Sequence, residues 1–162
     1  MEGSSRSRQI PQRSFRPSHF RIRNRGASLN SIPLLDTHIW IWWMLEDPRL
    51  TESHRNALDS FPPDQRPFLA DISLWEVSLL VAKGRLILDQ DIESWLEIAA
   101  SPSVVTLCPI TSSVAAEMSR LPDTFHQDPA DRLIVATARS LKIPLATQDR
   151  KIITSRLTRI WK

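Results

Sequence analysis

Residues 126–149 read HQDPADRLIVATARSLKIPLATQD, and this stretch carries the clearest signals of the fold. After an Asp-Pro pair, which is typical of a helix start, residues 129–142 place apolar side chains at helical spacing. The short apolar run 143–146 follows at once and predicts a buried strand that leads to Asp149. A long helix that passes directly into a short buried strand is typical of folds in which strands and helices alternate.

The rest of the chain continues this alternation. Further apolar runs predict strands at 32–35, 67–70 and 104–107, with a last edge strand at 157–161. Helical spacing and capping residues predict helices at 38–45, 51–60, 73–83, 92–100, 112–120 and 149–154. This order predicts an α/β protein with a central parallel sheet and helices on both faces, a three-layer α/β/α sandwich.

The composition fits one globular domain with a modest extension, since the chain has 162 residues, 41% of them hydrophobic and 24% charged. No run approaches the roughly 18 apolar residues of a membrane span, and the first residues lack the apolar segment of a secretory signal. Three glycines are too few for Gly-rich phosphate loops. The single Cys108 excludes an internal disulfide and a Cys-based zinc cluster, so we expect a cytoplasmic protein without membrane association.

Positive charge is concentrated at the amino end. Residues 1–30 hold seven Arg against Glu2 alone, which gives +6, whereas residues 31–162 hold 14 Lys and Arg against 17 Asp and Glu, which gives −3. Residues 1–30 have too few apolar side chains to offset the entropy of folding, so we predict a disordered Arg-rich extension before one domain at 31–162. The extension is either an arm for nucleic-acid phosphates or a solvated segment translated from a start site placed too far upstream.

Acidic residues lie near the ends of the predicted strands. Asp36 and Asp149 follow two of the strands, Glu76 lies in the first turn of a helix that follows another, and Asp131 opens the long helix beside Asp128. The carboxyl ends of parallel strands share one edge of the sheet, which is where ligands bind in such folds. Because Mg²⁺ takes oxygen ligands, these carboxylates together predict an acidic metal pocket.

Each of these acids also has a local structural explanation. The sequence SLWE at 73–76 matches a capping box. Asp128 is a good N-cap before proline, and Asp131 three residues later is favoured by the helix dipole. Asp36 and Asp149 can each cap the helix that follows. Capping explains each acid alone, but it does not require all of them to share one edge of the sheet.

Four motifs together resemble a known family. They are LLDTHIWIWWMLEDPRLTESHRNAL at 34–58, SLWEV at 73–77, HQDPADRLIVATA at 126–138 and LATQDRKI at 145–152. In order and spacing they resemble a PIN domain and, more narrowly, the VapC-type toxins of bacterial toxin–antitoxin pairs. The resemblance covers about residues 32–162, which is essentially the whole predicted domain.

The resemblance implies a Mg²⁺- or Mn²⁺-dependent endoribonuclease with RNA as its substrate. It also implies a parallel α/β/α sandwich, a homodimer, and inhibition by a cognate antitoxin protein. The acidic quartet of the family falls on Asp36, Glu76, Asp131 and Asp149, as catalytic and metal-binding residues. The Arg-rich residues 1–30 depart from the family pattern, because its members usually begin just before the first acid.

Two residues beside these acids are candidates for substrate binding. Thr37 follows the first acid and either hydrogen-bonds a ligand carboxylate or the scissile phosphate, or simply begins a helix. Arg132 follows Asp131 and either contacts RNA or pairs with a neighbouring carboxylate.

The tryptophans and histidines favour structural roles. The Trp-rich segment 40–45 is too apolar on all sides to pack on one sheet alone, which predicts core packing together with a dimer or antitoxin contact. Trp75 and Trp95 are predicted core residues. The histidines are widely separated and lack a Ser or Cys nucleophile pattern, so Ser-His-Asp hydrolysis is not favoured; His126 alone lies near an acidic motif.

Two other functions fit parts of the sequence. One is a Mg²⁺-dependent phosphatase on an α/β fold, although Asp36-Thr37-His38 lacks the second Asp expected of haloacid-dehalogenase-like phosphatases. The other is a non-catalytic module that binds nucleic acid through its Arg-rich extension and a partner through its Trp-rich segment.

We predict that a chain of residues 31–162 folds without residues 1–30, because the extension has too little apolar surface to contribute to a core. Thermal unfolding followed by circular dichroism should show a cooperative transition within a few degrees of that of the full chain. Loss of the cooperative transition in the shortened chain would show that the extension is part of the fold.

Overall fold

The central sheet has four parallel strands in the order β3-β2-β1-β4. The strands are β1 Leu34–Leu35, β2 Phe68–Ala70, β3 Thr106–Cys108 and β4 Leu145–Ala146. Leu34 pairs with Phe68 on one side and with Leu145 on the other, so β1 lies inside the sheet. The computed structural model describes residues 32–162, and the predicted disordered extension 1–30 lies outside these described residues.

Helices provide the connections that parallel neighbours require. Within residues 32–162 they are α1 Thr37–Met44, α2 Glu52–Asp59, α3 Ile72–Ala82, α4 Ile92–Ala99, α5 Ser112–Ser119, α6 Pro129–Leu141 and α7 Arg150–Ser155. Their order along the chain is the predicted one, and each begins and ends within about two residues of its predicted bounds.

Two hydrophobic clusters cover the two faces of the sheet. Leu34 and Leu145 belong to the first cluster, with residues of α5 and α6. Leu35 and Ala146, their immediate neighbours, belong to the second, with residues of α1 and α4. Successive residues of a strand point to opposite faces, so both faces are buried and the predicted three-layer α/β/α sandwich is confirmed.

The long helix α6 is fixed at both ends by local chemistry. The side chain of Asp128 accepts hydrogen bonds from the backbone N–H groups of Ala130 and Asp131, and Pro129 occupies the first turn. Lys142 ends the helix with φ 57°, and β4 begins three residues later. This compact turn brings the amino end of α6 and the carboxyl end of β4 to the same edge of the sheet.

The predicted edge strand at 157–161 is wrong in extent. Only an isolated parallel bridge joins Ile160 to Leu145, with hydrogen bonds from Leu145 N–H to the Arg159 carbonyl and from Trp161 N–H to the Leu145 carbonyl. Because β4 itself is two residues long, it offers no longer ladder for this segment to join.

The capping box predicted at residues 73–76 is also wrong. Helix α3 begins at Ile72, its N-cap is Asp71, and no side chain caps it. Ser73 therefore lies inside the first turn and is completely buried, so its hydroxyl is used for a tertiary contact and not for a local one.

The two tryptophans predicted to be core residues differ. Trp95 is buried, as predicted, whereas Trp75 is 53% exposed. Helix α3 buries Ser73 and Val77, and Trp75 lies two residues from each, on the opposite side of the helix. In the Trp-rich segment, Trp40 is fully buried and donates a hydrogen bond to the Ala99 carbonyl.

No helix in residues 32–162 is both long enough and apolar enough to cross a membrane.

Candidate active site

The four predicted acids all lie at the carboxyl edge of the sheet. Asp36 directly follows β1, and Asp149 follows β4 by three residues. Glu76 lies in α3, which follows β2, and Asp131 lies in the first turn of α6. Each of the other three carboxylates contributes to raising the pKa of Asp131 by charge repulsion, so the fold places all four in one electrostatic site.

Asp36 is almost completely buried, at 3% exposure, and both of its carboxylate oxygens have partners. The Thr147 hydroxyl donates a hydrogen bond of 2.6 Å to Oδ2. His38 Nδ1 lies 3.2 Å from Oδ1. Although Asp36 occupies the N-cap position of α1, its side chain makes no capping hydrogen bond. Its carboxylate is therefore held in a single orientation by one residue two positions away and one 111 positions away.

His38 and Thr147 connect Asp36 to the loop that carries Asp149. The backbone N–H of Gln148 lies 3.1 Å from His38 Nε2 and donates to it, so Nε2 presents its lone pair and Nδ1 carries the proton toward Asp36. Thr147 Oγ1 accepts the Asp149 N–H at 3.0 Å. The loop after β4 is thus tied to the acid after β1.

The charge on His38 reflects opposing influences. Burial of the ring lowers its pKa, but the hydrogen bond to Asp36 and the charges of Asp36, Asp149 and Asp131 outweigh burial and raise it. The Gln148 N–H acts against that rise, because an imidazolium has no lone pair to accept it. With this donor in place we assign His38 as neutral, with the proton on Nδ1.

Glu76 is a half-buried acid with unused hydrogen-bonding capacity. Its Oε2 is buried and has no hydrogen-bond partner. Burial raises the pKa of Glu76, the Thr37 hydroxyl beside it lowers it, and the charges of Asp36 and Asp128 raise it again. An unpartnered carboxylate oxygen inside a protein is costly, so this atom fits a ligand that brings a positive charge or a proton donor.

Asp131 has a strongly raised pKa. Burial, followed by the charges of the neighbouring carboxylates, raises its pKa to about 7; these carboxylates are Asp36, Asp128, Glu76 and Asp149. His126 lies beside it, with Nε2 3.4 Å from Asp131 Oδ2 and without hydrogen-bond geometry.

Capping accounts for some of the acids and not for others. Asp128 caps α6, as described above, and Asp149 caps α7 by accepting from the N–H groups of Lys151 and Ile152 at 2.6 and 3.3 Å. The local explanation fails for Asp36 and Glu76, because neither carboxylate bonds to the start of a helix.

The two predicted substrate-binding residues are engaged within the protein. Thr37 is 2% exposed and its hydroxyl donates to Ser73 Oγ at 2.9 Å. The Arg132 guanidinium donates to the carbonyls of Leu121, Pro122 and Phe125 at 3.4–3.5 Å. Thr37 therefore joins α1 to α3, and Arg132 fixes the loop before α6; a direct contact of either with RNA stays a prediction.

Cys108 takes no part in this site. It is buried, as predicted, and burial raises the pKa of its thiol to about 12. A thiol with that pKa is protonated and unreactive at neutral pH.

The acidic residues match a divalent cation in type and charge. Their ligand atoms are carboxylate oxygens, which Mg²⁺ and Mn²⁺ prefer. The unpartnered Glu76 oxygen and the raised pKa of Asp131 both show negative charge that a cation would stabilise. Within residues 32–162, however, no three His, Cys, Asp or Glu side chains already have the arrangement of a metal-binding group. A cation would therefore have to draw the carboxylates together.

The chain belongs to the PIN-domain family. The model of that family, described as "PIN domain", matches residues 34–156, which include all four acids. The family assignment agrees with the parallel sheet and with the position of the acids at its carboxyl edge.

One relative is a VapC-type ribonuclease. The chain is 38% identical over 131 residues to Ribonuclease VapC22 of Mycobacterium tuberculosis (strain ATCC 25618 / H37Rv), a match that covers 79% of this chain and 97% of that protein. This relative agrees with the VapC-type resemblance and favours the nuclease prediction over the phosphatase and the binding module.

Two solved structures share the fold. One is VapBC2 from Rickettsia felis bound to a DNA fragment from their promoter, with a TM-score of 0.62, 18% identity, and coverage of 80% of this chain and 96% of that chain. The other is FitAcB from Neisseria gonorrhoeae, with a TM-score of 0.60, 23% identity, and coverage of 81% of this chain and 97% of that chain.

The sequence analysis missed two residues of the site, His38 and Thr147. His38 directly follows the Asp-Thr pair, but the spacing of the histidines gave no reason to link it to an acid. Thr147 precedes Asp149 by two residues, and no local pattern marks its contact with Asp36, which is 111 positions away. The proximity of each to a predicted acid was the only available signal.

The raised pKa of Asp131 predicts how the stability of the metal-free protein changes with pH. Its pKa is about 7 in the folded state against an ordinary value of 3.8, so between these values the folded state binds more protons than the unfolded state. The free energy of unfolding should therefore fall as the pH rises through this range. Asp131→Asn should remove most of this loss and gain about 1–2 kcal/mol at about pH 8, after allowance for solvent screening.

Urea unfolding in EDTA at several pH values measures this effect. Glu97→Gln is the matched control, because Glu97 is exposed on α4 and lies outside the site; its unfolding curve should follow that of the unmodified protein. An Asp131→Asn protein that is less stable than the unmodified one at about pH 8 would contradict the account of charge repulsion.

Proposed function

We propose that this protein is a metal-dependent endoribonuclease that acts as the toxin of a toxin–antitoxin pair. The observation that carries the proposal is the set of four carboxylates at one edge of the sheet, one with a buried unpartnered oxygen and one with a pKa raised to about 7. Membership of the PIN-domain family and the similarity to Ribonuclease VapC22 support the same activity.

We assign Asp36 and Asp131 as the direct ligands of Mg²⁺ or Mn²⁺. Asp36 suits this role because His38 and Thr147 hold its carboxylate in a fixed orientation. Asp131 suits it because a cation would offset the repulsion that raises its pKa. When bound, the cation supplies charge neutralisation at the scissile phosphate and lowers the pKa of a water ligand.

Glu76 and Asp149 complete the site by positioning water. Glu76 Oε2 has no partner within the protein and is free to accept a hydrogen bond from the attacking water. Because its pKa is raised, Glu76 is a stronger base than an ordinary glutamate and suits the removal of a proton from that water. In-line attack of this water on phosphorus breaks the bond to the 3′ oxygen and leaves a 5′-phosphate and a 3′-hydroxyl.

The proposal includes protein partners. VapBC2 from Rickettsia felis and FitAcB from Neisseria gonorrhoeae are structures of complexes that share this fold, which supports a cognate antitoxin for this chain. We also propose a homodimer, because α3 exposes 53% of Trp75 and the loop after β3 exposes 52% of Ile110. We also propose a cytoplasmic location, because the proposed substrate is cellular RNA.

Cleavage of total cellular RNA by the purified protein tests the activity. We expect discrete fragments with Mg²⁺ or Mn²⁺ and none with EDTA. Asp36→Asn and Asp131→Asn should each lower the cleavage rate by orders of magnitude without loss of the fold, since each removes a charged ligand. Glu97→Gln should cleave normally. Full activity of either Asn variant, or cleavage that persists in EDTA, would contradict the assignment.

The contact between His38 and Asp36 predicts a positioning role. His38→Phe removes the donor to Asp36 and should weaken Mn²⁺ binding or cleavage by about 10- to 100-fold, the usual effect of losing a partner of a metal ligand. His38→Asn keeps a side-chain N–H near the position of Nδ1 and should restore part of this loss.

Isothermal titration of Mn²⁺ separates this role from a general effect on stability. His54→Phe is the control, because His54 contacts Thr51 in the turn before α2 and not the acids. If His38→Phe binds Mn²⁺ and cleaves RNA as well as His54→Phe does, His38 has no positioning role.

A further inference from the structure

A concavity opens beside the acidic site, between α7 and the loop that precedes α6. It has a volume of about 390 Å³, which lies within the range of small-ligand sites. Its polar lining consists of Thr124 and His126 from the loop and Lys151, Thr154 and Ser155 from α7. We call it the α7 cleft.

The α7 cleft adjoins the proposed catalytic residues on two sides. His126 lines the cleft, and its Nε2 lies 3.4 Å from Asp131 Oδ2. Lys151 also lines it, and its backbone N–H donates to Asp149 Oδ1 at 2.6 Å. A strand of nucleic acid with one phosphate at the carboxylates would therefore have its next nucleotide within reach of the cleft.

The cleft and the acidic site differ sharply in charge. Among the described residues that line the cleft there is one lysine and no aspartate or glutamate. Lys151 is exposed, so its ammonium group is accessible to a phosphate. Four carboxylates repel an incoming polyanion, and an adjacent wall with a cation and no acid gives the flanking phosphate a place to bind.

The hydroxyl groups of the cleft are oriented as acceptors. Thr154 Oγ1 donates to the Arg150 carbonyl at 2.7 Å, and Ser155 Oγ donates to the Ile152 carbonyl at 2.7 Å. Each hydroxyl proton is thus used within α7. Ser155 Oγ also accepts the Leu157 N–H at 3.3 Å, which leaves it one lone pair, and Thr154 Oγ1 keeps its lone pairs to accept from a ligand. A ribose 2′-hydroxyl or a base N–H is a donor that these oxygens can bind.

The loop wall of the cleft is fixed before any ligand arrives. Arg132 donates to three carbonyls of this loop, as described above, and its guanidinium lies 6.0 Å from the ring of Phe125. Gln127 Nε2 donates to the carbonyls of Asp123 and Phe125, at 3.1 Å each. A wall that is already ordered loses little entropy when it binds a ligand.

We propose that the α7 cleft binds one nucleotide of single-stranded RNA next to the scissile phosphate, with the phosphate at Lys151 and the sugar and base edge at Thr154 and Ser155. This inference rests on the proposed ribonuclease function and adds a substrate subsite to it. It assigns to Lys151 the phosphate contact that the engaged guanidinium of Arg132 does not supply.

Binding of RNA to a protein that does not cleave it tests the proposal. The probe is a fluorescein-labelled mixed-sequence RNA 12-mer, and the parent protein carries Asp36→Asn. Lys151→Ala in this parent should weaken binding by at least about 5-fold and reduce the slope of log K against log salt by about one. Thr154→Trp should fill the cleft and weaken binding with little change in the salt slope.

Matched variants control for charge and bulk elsewhere. Lys162→Ala removes an exposed lysine outside the cleft, and Ile153→Trp enlarges an exposed neighbour on α7 that does not line it; both should bind RNA like the parent. In the cleaving protein, Lys151→Ala should raise KM more than it lowers kcat, and Mn²⁺ binding should be unchanged.

The outcomes separate the two proposals. If the parent binds no RNA and the unmodified protein cleaves none, the proposed function fails and the subsite fails with it. If the parent binds RNA and both cleft variants bind it equally well, only the subsite is overturned. If the cleft variants keep RNA binding but escape inhibition by the antitoxin, the cleft holds a protein segment and the inference is wrong.

Discussion

The parallel pairing of β1 with both β2 and β4 is the constraint on which the rest of the structure depends. The strands are only two or three residues long, yet they lie between two buried clusters, so their register is fixed by packing on both faces. Parallel neighbours necessarily present their carboxyl ends at one edge of the sheet. Residues that follow the strands, such as Asp36 and Asp149, therefore meet although they are far apart in the chain.

That edge concentrates negative charge on one buried and three partly buried acids. Asp36 is buried with both oxygens paired, Glu76 keeps an unpartnered buried oxygen, and the pKa of Asp131 rises to about 7. The unpartnered oxygen and the charge repulsion at Asp131 both lower the stability of the metal-free fold. A site that is unfavourable for folding and suited to a cation is the usual mark of selection for function over stability.

Particular residues show where sequence analysis succeeds. The N-cap at Asp128 and the helix start at residue 51, where Thr51 is the N-cap, were predicted correctly, because capping involves backbone groups within three positions. The order of strands and helices was also predicted correctly, since the hydrophobic pattern of each element lies within its own short segment. The predictions at residues 73–76 and 157–161 failed because they depend on contacts with distant parts of the chain. Ser73 pairs with Thr37 of another helix. The pairing of residues 157–161 is limited by the length of β4.

By itself, the sequence determined the alternation of strands and helices, the starts of the capped helices, and the fact that acids follow the strands. Only the tertiary structure decided that Thr147 and the pair formed by Gln148 and His38 hold the Asp36 carboxylate, that Trp75 is exposed, and that a loop engages Arg132. The physical reason is the separation along the chain between the residues that interact. Helix caps and hydrophobic periodicity depend on neighbours a few positions away, whereas the contacts of the Asp36 site join residues 110 and 111 positions apart, which meet only when the sheet is assembled.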